Sequence, residues 1–152
     1  MKGKTPDSRY RRARRVFPSP FSLSQFTAPV SDLADFNYEK KYDGDKKILI
    51  IAADERYLLM DNGTFFSTGN HPIETLVPMY HLTQAGWDFE IATVSGNPMK
   101  FEFWAMPAKD ERLKSFFESY AAKFKEPKKL SDVVAAGLDK YLRSISRAAM
   151  AR

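Results

Sequence analysis

The fold is decided by the stretch Ser67-Thr68-Gly69-Asn70-His71-Pro72-Ile73-Glu74, which lies between an apolar run and a helical pattern. The apolar run, residues 48–53, is typical of a strand that is buried on both faces. After the stretch, apolar residues recur with the spacing of one helical face, at Ile73, Leu76, Val77 and Tyr80. Residues 87–94 form a second strand candidate. The order strand, loop, helix, strand predicts a parallel β-α-β crossover.

The two ends of this predicted helix carry recognisable signals. Pro72 suits the first helical position, because the N–H that proline lacks would have no partner there. Either Asn70 or His71 is then the N-terminal cap. Gly86 suits the left-handed position that follows a helix C-terminus. The helix is therefore predicted to begin at Pro72 and to end just before Gly86.

The same topology predicts where a ligand would bind. In open α/β sheets, ligands collect at the carboxyl ends of the strands. We therefore expect Asp54, Glu55, the long loop of residues 61–70 and Glu74 to surround one crevice. For Asp54 and Glu55, an ordinary solvated pair of loop acids is an equally open reading.

The rest of the chain supplies helices but few strands. Residues 101–104 alternate weakly and predict a short edge strand. A helix is predicted between Pro107 and Pro127, with one apolar face at Leu113, Phe116, Phe117, Tyr120 and Phe124. A second helix, capped by Ser131, is predicted to run almost to the C-terminus and to be basic and amphipathic after Gly137. Two strong strands are too few for a doubly wound sheet, so the chain has the pattern of the first half of a domain.

Composition restricts the function. The chain of 152 residues contains no cysteine, which excludes disulfides, thiolate metal sites and a cysteine nucleophile in this sequence. No apolar run approaches the roughly 20 residues that a membrane span needs, and no secretory signal is visible. Residues 1–15 contain seven basic side chains and one acidic one, whereas the remainder has 17 basic and 18 acidic. The net charge of +5 is therefore mostly that of a tail, which could bind RNA or an acidic membrane surface but which we interpret as a solvated extension.

These patterns predict four segments. Residues 1–16 are a disordered, dispensable basic tail, and residues 17–46 are an extended arm that lays aromatic side chains onto the domain. Residues 47–136 are the N-terminal half of an α/β domain. Residues 137–152 are a divergent C-terminal helix.

Several segments of this chain resemble one family, the HchA proteins. The matching segments are residues 21–25, 51–57, 66–75, 100–107 and 127–134. HchA proteins are bacterial heat-inducible chaperones of the PfpI-like, glutamine-amidotransferase-like superfamily. The resemblance runs from about residue 17 to residue 136.

The resemblance implies an incomplete flavodoxin-like, three-layer α/β sandwich with a parallel sheet, in a cytoplasmic homodimer. It implies cofactor-free conversion of methylglyoxal to lactate (glyoxalase III), deglycation of proteins and nucleotides, and holdase binding of unfolded client proteins. The family nucleophile is a cysteine on a strand-to-helix elbow, followed by a histidine, with a further acid downstream. Glu74 matches the family's pocket glutamate, which would act as a general acid and base. Without the resemblance, Glu74 reads as a first-turn carboxylate that stabilises its helix.

The chain departs from the family pattern after residue 136. The cysteine, its histidine and the later acid do not appear. Some relatives bind zinc, but the corresponding positions hold Thr83, Asp88 and Tyr120, of which only Asp88 could be a ligand. His71 and His81 are too few for a metal site, so we expect no metal, and the resemblance implies that no cofactor is needed. His71 is expected at the helix start and His81 at or near the helix surface.

Three functions therefore stay open for this chain. The first is an HchA-type enzyme that is inactive here because its nucleophile is missing. The second is a chaperone-like fragment that binds clients and itself through exposed apolar surface. The third is a non-functional remnant of a truncated gene. No specific nucleic acid and no membrane is expected as a partner.

Overall fold

The computed structural model describes residues 14–146 and confirms the predicted α/β class. The strands are Arg15–Val16 (β1), Lys47–Ala52 (β2), Tyr57–Leu59 (β3), Phe65–Ser67 (β4), Phe89–Thr93 (β5), Lys128–Lys129 (β6) and Tyr141–Ser146 (β7). The α-helices are Pro20–Phe26 (α1), Pro72–Gln84 (α2), Glu111–Lys125 (α3) and Leu130–Ala135 (α4). A single 3-10 turn, Phe103–Ala105, lies between β5 and α3.

The main sheet has four parallel strands in the order β6-β5-β2-β7. The predicted crossover is confirmed, because β2 pairs in parallel with β5, with Ile48 opposite Phe89 and Ile50 opposite Ile91. The predicted bounds of α2 are also confirmed. Pro72 is its first residue, His71 is the N-cap residue, and Gly86 follows it with a φ of 89°.

Strand β2 is buried on both faces of this sheet. Ile48 and Ile50 belong to a core that the buried side chains of α2 and α3 complete, including Leu76, Met79, Leu113 and Phe124. Leu49 lies in a smaller cluster on the other face, with Val133 of α4 and Tyr141 of β7. This alternation along β2 explains why the strand is apolar from Ile48 to Ala52, and it gives the three layers of an incomplete flavodoxin-like sandwich.

The predicted C-terminal helix is wrong. Helix α4 ends at Ala135, Gly137 adopts a φ of 85°, and residues Tyr141–Ser146 form β7 alongside β2. The apolar spacing between 131 and 145 suits a helix, but a helix would leave the backbone groups along the open edge of β2 without partners, whereas an extended segment pairs with them. Tertiary context thus overrides local periodicity. Residues 147–152 of the predicted helix lie outside the described residues.

The predicted long loop of residues 61–70 is also wrong. Strands β3 and β4 form an antiparallel hairpin, and β1 adds to β4 in parallel to make a second, three-stranded sheet. The turn signal around Gly63 was correct, since Gly63 has a φ of 77°, but three-residue strands are too short to show a period. Because Arg15 and Val16 pair with β4, they are not part of a disordered tail; residues 1–13 of that prediction lie outside the described residues.

The predicted edge strand at residues 101–104 reduces to one bridge. Phe101 pairs with Asn70, and the 3-10 turn follows at once. The backbone therefore leaves extended geometry before a strand can form.

The arm differs from its prediction as well. It contains α1, capped by Ser19, and the rings of Phe21 and Phe26 on that helix are 73% and 80% exposed rather than packed on the domain. The arm is held by other groups: Leu33 is buried in the core, and Tyr42 stacks on Trp87 with ring centroids 3.7 Å apart. No helix within residues 14–146 is long and apolar enough to cross a membrane.

A polar network crosses the α4 face of the main sheet and ties β7 to it. The Tyr141 hydroxyl donates to the Glu90 carboxylate at 2.8 Å, and the Lys128 ammonium pairs with the same carboxylate at 2.5 Å. Burial raises the pKa of Glu90, but hydrogen bonds from Lys128 and Tyr141 outweigh it and leave that pKa below its ordinary value. Burial and the bond to Glu90 raise the pKa of Tyr141 to about 12. The network therefore stabilises the fold at neutral pH and weakens as acid protonates Glu90.

Removal of the Tyr141 hydroxyl tests this strand placement. Tyr141→Phe should lower the free energy of unfolding by about 1–2 kcal/mol, the contribution of a hydrogen bond to a charged group. Tyr38→Phe, on the arm, is the matched control and should change it by less than about 0.5 kcal/mol. Urea unfolding curves measure both. Equal midpoints for the two variants would contradict the pairing of β7 with the sheet.

Candidate functional site

Glu74 lies in the first turn of α2, and its side chain is exposed. A carboxylate there is stabilised by the positive end of the helix dipole. The helix is entered through residues 67–71, which connect the end of β4 to the helix. The position of Glu74 therefore depends on how that connection is held.

Asn70 joins this connection to the end of β2. Its amide Nδ2 donates to the carbonyl oxygens of Ala53 at 2.7 Å and Lys100 at 2.8 Å, and its Oδ1 accepts the N–H of Ala53 at 3.1 Å. The backbone N–H of Asn70 also donates to the Lys100 carbonyl at 2.7 Å. The Asn70 side chain thus supplies hydrogen-bond partners for backbone groups at the point where β2 ends, in place of a further strand residue.

Glu102 holds the other side of the connection. The residue is buried, with 3% of its surface exposed. Its carboxylate accepts hydrogen bonds from the Ser67 hydroxyl at 2.8 and 2.9 Å and from the Gly69 N–H at 2.7 Å. The Arg56 Nε lies 3.6 Å from Glu102 Oε1, and Arg56 Nη2 donates to the Phe101 carbonyl at 2.8 Å. A buried carboxylate thereby links the hairpin, the helix entry and the segment after β5.

Gly69 is required by this close packing. A Cβ atom at this position would lie 2.5 Å from the Lys100 carbonyl oxygen and 3.1 Å from Glu102 Oε1. Any larger residue would push the connection away from the segment that holds it.

The two histidines lie at opposite ends of α2. His71 is at the N-cap position, with its ring edge-on to that of Trp104 at 6.4 Å. His81 is in the last turn, edge-on to Tyr80 at 5.9 Å. Residues 14–146 contain no group of three or more His, Cys, Asp or Glu side chains that could hold a metal ion.

Asp54 and Glu55, at the carboxyl end of β2, accept hydrogen bonds from backbone N–H groups. The Asp54 carboxylate accepts a hydrogen bond from the Ser95 N–H at 2.9 Å. Burial raises the pKa of Asp54, but the hydrogen bonds from Ser95 outweigh burial and leave that pKa below its ordinary value. Glu55 accepts the N–H groups of Tyr57 at 2.8 Å and Arg56 at 2.6 Å, which lower its pKa. These contacts favour a structural role for both acids over a ligand-facing one.

Sequence reasoning missed Glu102, Arg56 and the role of the Asn70 side chain. Glu102 is an acid inside a mostly apolar segment, residues 101–106, and that unusual setting is the one local signal that could have indicated it. The partners of all three residues lie far away along the chain, so no short pattern reveals them.

Comparison with known proteins gives a consistent set of relatives. No protein-family model matches the chain. "Protein/nucleic acid deglycase HchA" of Escherichia coli (strain UTI89 / UPEC) is 58% identical over 136 residues, which cover 90% of this chain and 48% of the relative. The protein of the same name from Escherichia coli O157:H7 is 63% identical over 120 residues, which cover 79% of this chain and 42% of the relative. This chain thus spans about half the length of the curated relatives that it matches.

A methyl group at Gly69 tests how tightly the helix entry is packed. Gly69→Ala should lower the free energy of unfolding by roughly 1–3 kcal/mol, because the added Cβ overlaps backbone that cannot rotate away. Gly63→Asn is the control: no atom lies within 4 Å of a Cβ there, and asparagine tolerates its left-handed backbone. Thermal unfolding compares the two. An unchanged melting temperature for Gly69→Ala would contradict the close approach of Gly69 to the Lys100 carbonyl.

Proposed function

Because the chain belongs to the HchA family over the stretch that it shares with these deglycases, we propose that it supplies the Glu74 side of an HchA-type catalytic pocket. We further propose that the chain by itself converts neither methylglyoxal nor glycated substrates. The observation that carries the proposal is Glu74 on a tightly held helix entry, in a sequence 58–63% identical to deglycases.

The proposed chemistry divides the work between two groups. A thiolate attacks the carbonyl carbon of the aldehyde, and a carboxylate then moves a proton between carbon and oxygen of the adduct. Glu74 fits the second task, because it is exposed and lies at the carboxyl end of a parallel sheet. The first task needs a cysteine, and this sequence has none. The nucleophile would have to come from a polypeptide segment outside this sequence.

The substrates proposed for the completed pocket follow from the relatives. Their name describes deglycation of proteins and nucleic acids, and the family resemblance adds methylglyoxal as the small aldehyde. The family resemblance also leads us to propose a cytoplasmic setting.

Complementation tests this proposal. The chain is co-expressed with the part of the Escherichia coli relative that it does not match, and methylglyoxal loss and lactate formation are followed. We expect the two pieces to co-purify and to turn over methylglyoxal, and Glu74→Gln to reduce turnover by about 100-fold or more. Glu111→Gln, the first-turn glutamate of α3, is the matched control and should leave turnover unchanged.

Three outcomes would contradict the proposal. One is Glu74-dependent turnover by the chain alone, a second is an active complex that tolerates Glu74→Gln, and the third is failure of the two pieces to associate.

A second candidate function, binding of unfolded chains, is favoured by the apolar surface around α1. Phe21 and Phe26 are 73% and 80% exposed, and a groove of about 450 Å³ lies between α1, Phe66 of β4 and Trp104. Monomeric proteins seldom leave several large apolar side chains exposed together. We propose that this surface binds unfolded clients and supports self-association of the chain.

Light scattering from unfolding, reduced α-lactalbumin tests the second candidate. The chain should suppress the scattering, and the double variant Phe21→Ser/Phe26→Ser should lose most of that effect. Phe36→Ser, which removes a ring 63% exposed elsewhere on the arm, should keep it. Equal suppression by all three proteins would refute a client-binding role for α1. Absence of both proposed activities would favour a non-functional remnant.

A further inference from the structure

We propose that Glu102 is a positioning residue for Glu74: its buried carboxylate fixes the turn through which the chain enters α2. The proposal rests on the function proposed for Glu74, but its first test does not depend on catalysis. Glu102 is buried, with 3% of its surface exposed, and it acts through Ser67 and Gly69.

The hydrogen bonds of Glu102 are suited to this task. A carboxylate only accepts hydrogen bonds, and this one receives the Ser67 hydroxyl and the Gly69 N–H from one turn. Charge-assisted bonds of this kind are shorter and stronger than neutral ones, and the Gly69 bond is 2.7 Å long. The first and last residues of the three-residue turn 67–69 are thereby bonded to a single carboxylate.

The fixed turn determines where the helix begins. Asn70 follows Gly69 and is bonded to Ala53 and Lys100, so the residue before the cap is held on a second side. His71 is the cap, Pro72 fixes φ at the first helical position, and Glu74 follows within the same turn of helix. A shift at Gly69 therefore moves the first turn of α2 and the Glu74 carboxylate with it.

Stability alone is a weak reason to bury this carboxylate. Removing a charge from water carries a desolvation penalty, and well-packed apolar side chains often stabilise a protein as much as a buried ion pair does. The cationic partner here is also incomplete, since Arg56 Nε is 3.6 Å from Glu102 and has no hydrogen-bond partner among the described residues. The geometry points to fixing of the turn as the role of Glu102.

Amide hydrogen exchange on the whole chain tests the proposal directly. Glu102→Gln keeps the shape of the side chain but removes its charge and leaves one acceptor oxygen for both the Ser67 hydroxyl and the Gly69 N–H. The Gly69 bond is then weaker, so the Gly69 N–H should exchange at least about tenfold faster. The amides of Ile50 and Ile91, in the centre of the main sheet, should be much less affected. Glu118→Gln, an exposed glutamate of α3, is the control and should change none of them. If Glu102→Gln does not fold, Ser67→Ala replaces it and should accelerate Gly69 exchange severalfold.

The complemented enzyme gives the second readout. Glu102→Gln should lower kcat at least about tenfold and change KM by less than about threefold, because a misplaced acid and base slows chemistry more than binding. Gly69 exchange that stays slow, or that accelerates no more than exchange of the sheet amides, would overturn the proposal. An unchanged kcat in a complex that Glu74→Gln inactivates would overturn it as well. Fast Gly69 exchange in a complex that tolerates Glu74→Gln would instead contradict the function proposed for Glu74.

Discussion

The structure depends on one constraint: β2 is apolar from Ile48 to Ala52 and must be covered on both faces. Leu49 is 1% exposed and Ile48 is 3% exposed, although they face opposite sides of the sheet. Full burial of each such side chain contributes about 1.5–3 kcal/mol. Helices α2 and α3 cover one face and α4 the other, while β5 and β7 pair with the two edges. The remaining elements take their positions from this strand.

The candidate site lies at the carboxyl end of the same strand. Beyond Ala52 the sheet ends, and the backbone groups of Ala53 pair with the side chain of Asn70. The entry to α2 is therefore attached to a strand that is buried on both faces, and Glu102 holds its other side. Glu74 thus lies in a helical turn whose entry has a defined geometry, although its own side chain is exposed to solvent.

Sequence predicted the parts of this fold whose patterns are long. The crossover, α2 and α3 have several turns or a continuous apolar run, and each was placed within a few residues. The hairpin and β1 have strands of two or three residues, which carry no period, and β7 has an apolar spacing that suits a helix until β2 offers it an edge. Glu74 is proposed through family resemblance alone, since a first-turn glutamate is ordinary in itself. Glu102 could not be found, because its partners are 33 to 46 residues away in sequence.

The chain covers both faces of its own buried strand and pairs both of its edges, with β7 alongside β2. NMR of the isotopically labelled chain tests it most directly, through the Cα chemical shifts and amide exchange rates of Tyr141–Ser146. We expect shifts typical of a strand and, for the amides that face β2, exchange as slow as that of the β2 amides. Helical shifts, or exchange at the rate of unpaired backbone, would contradict it.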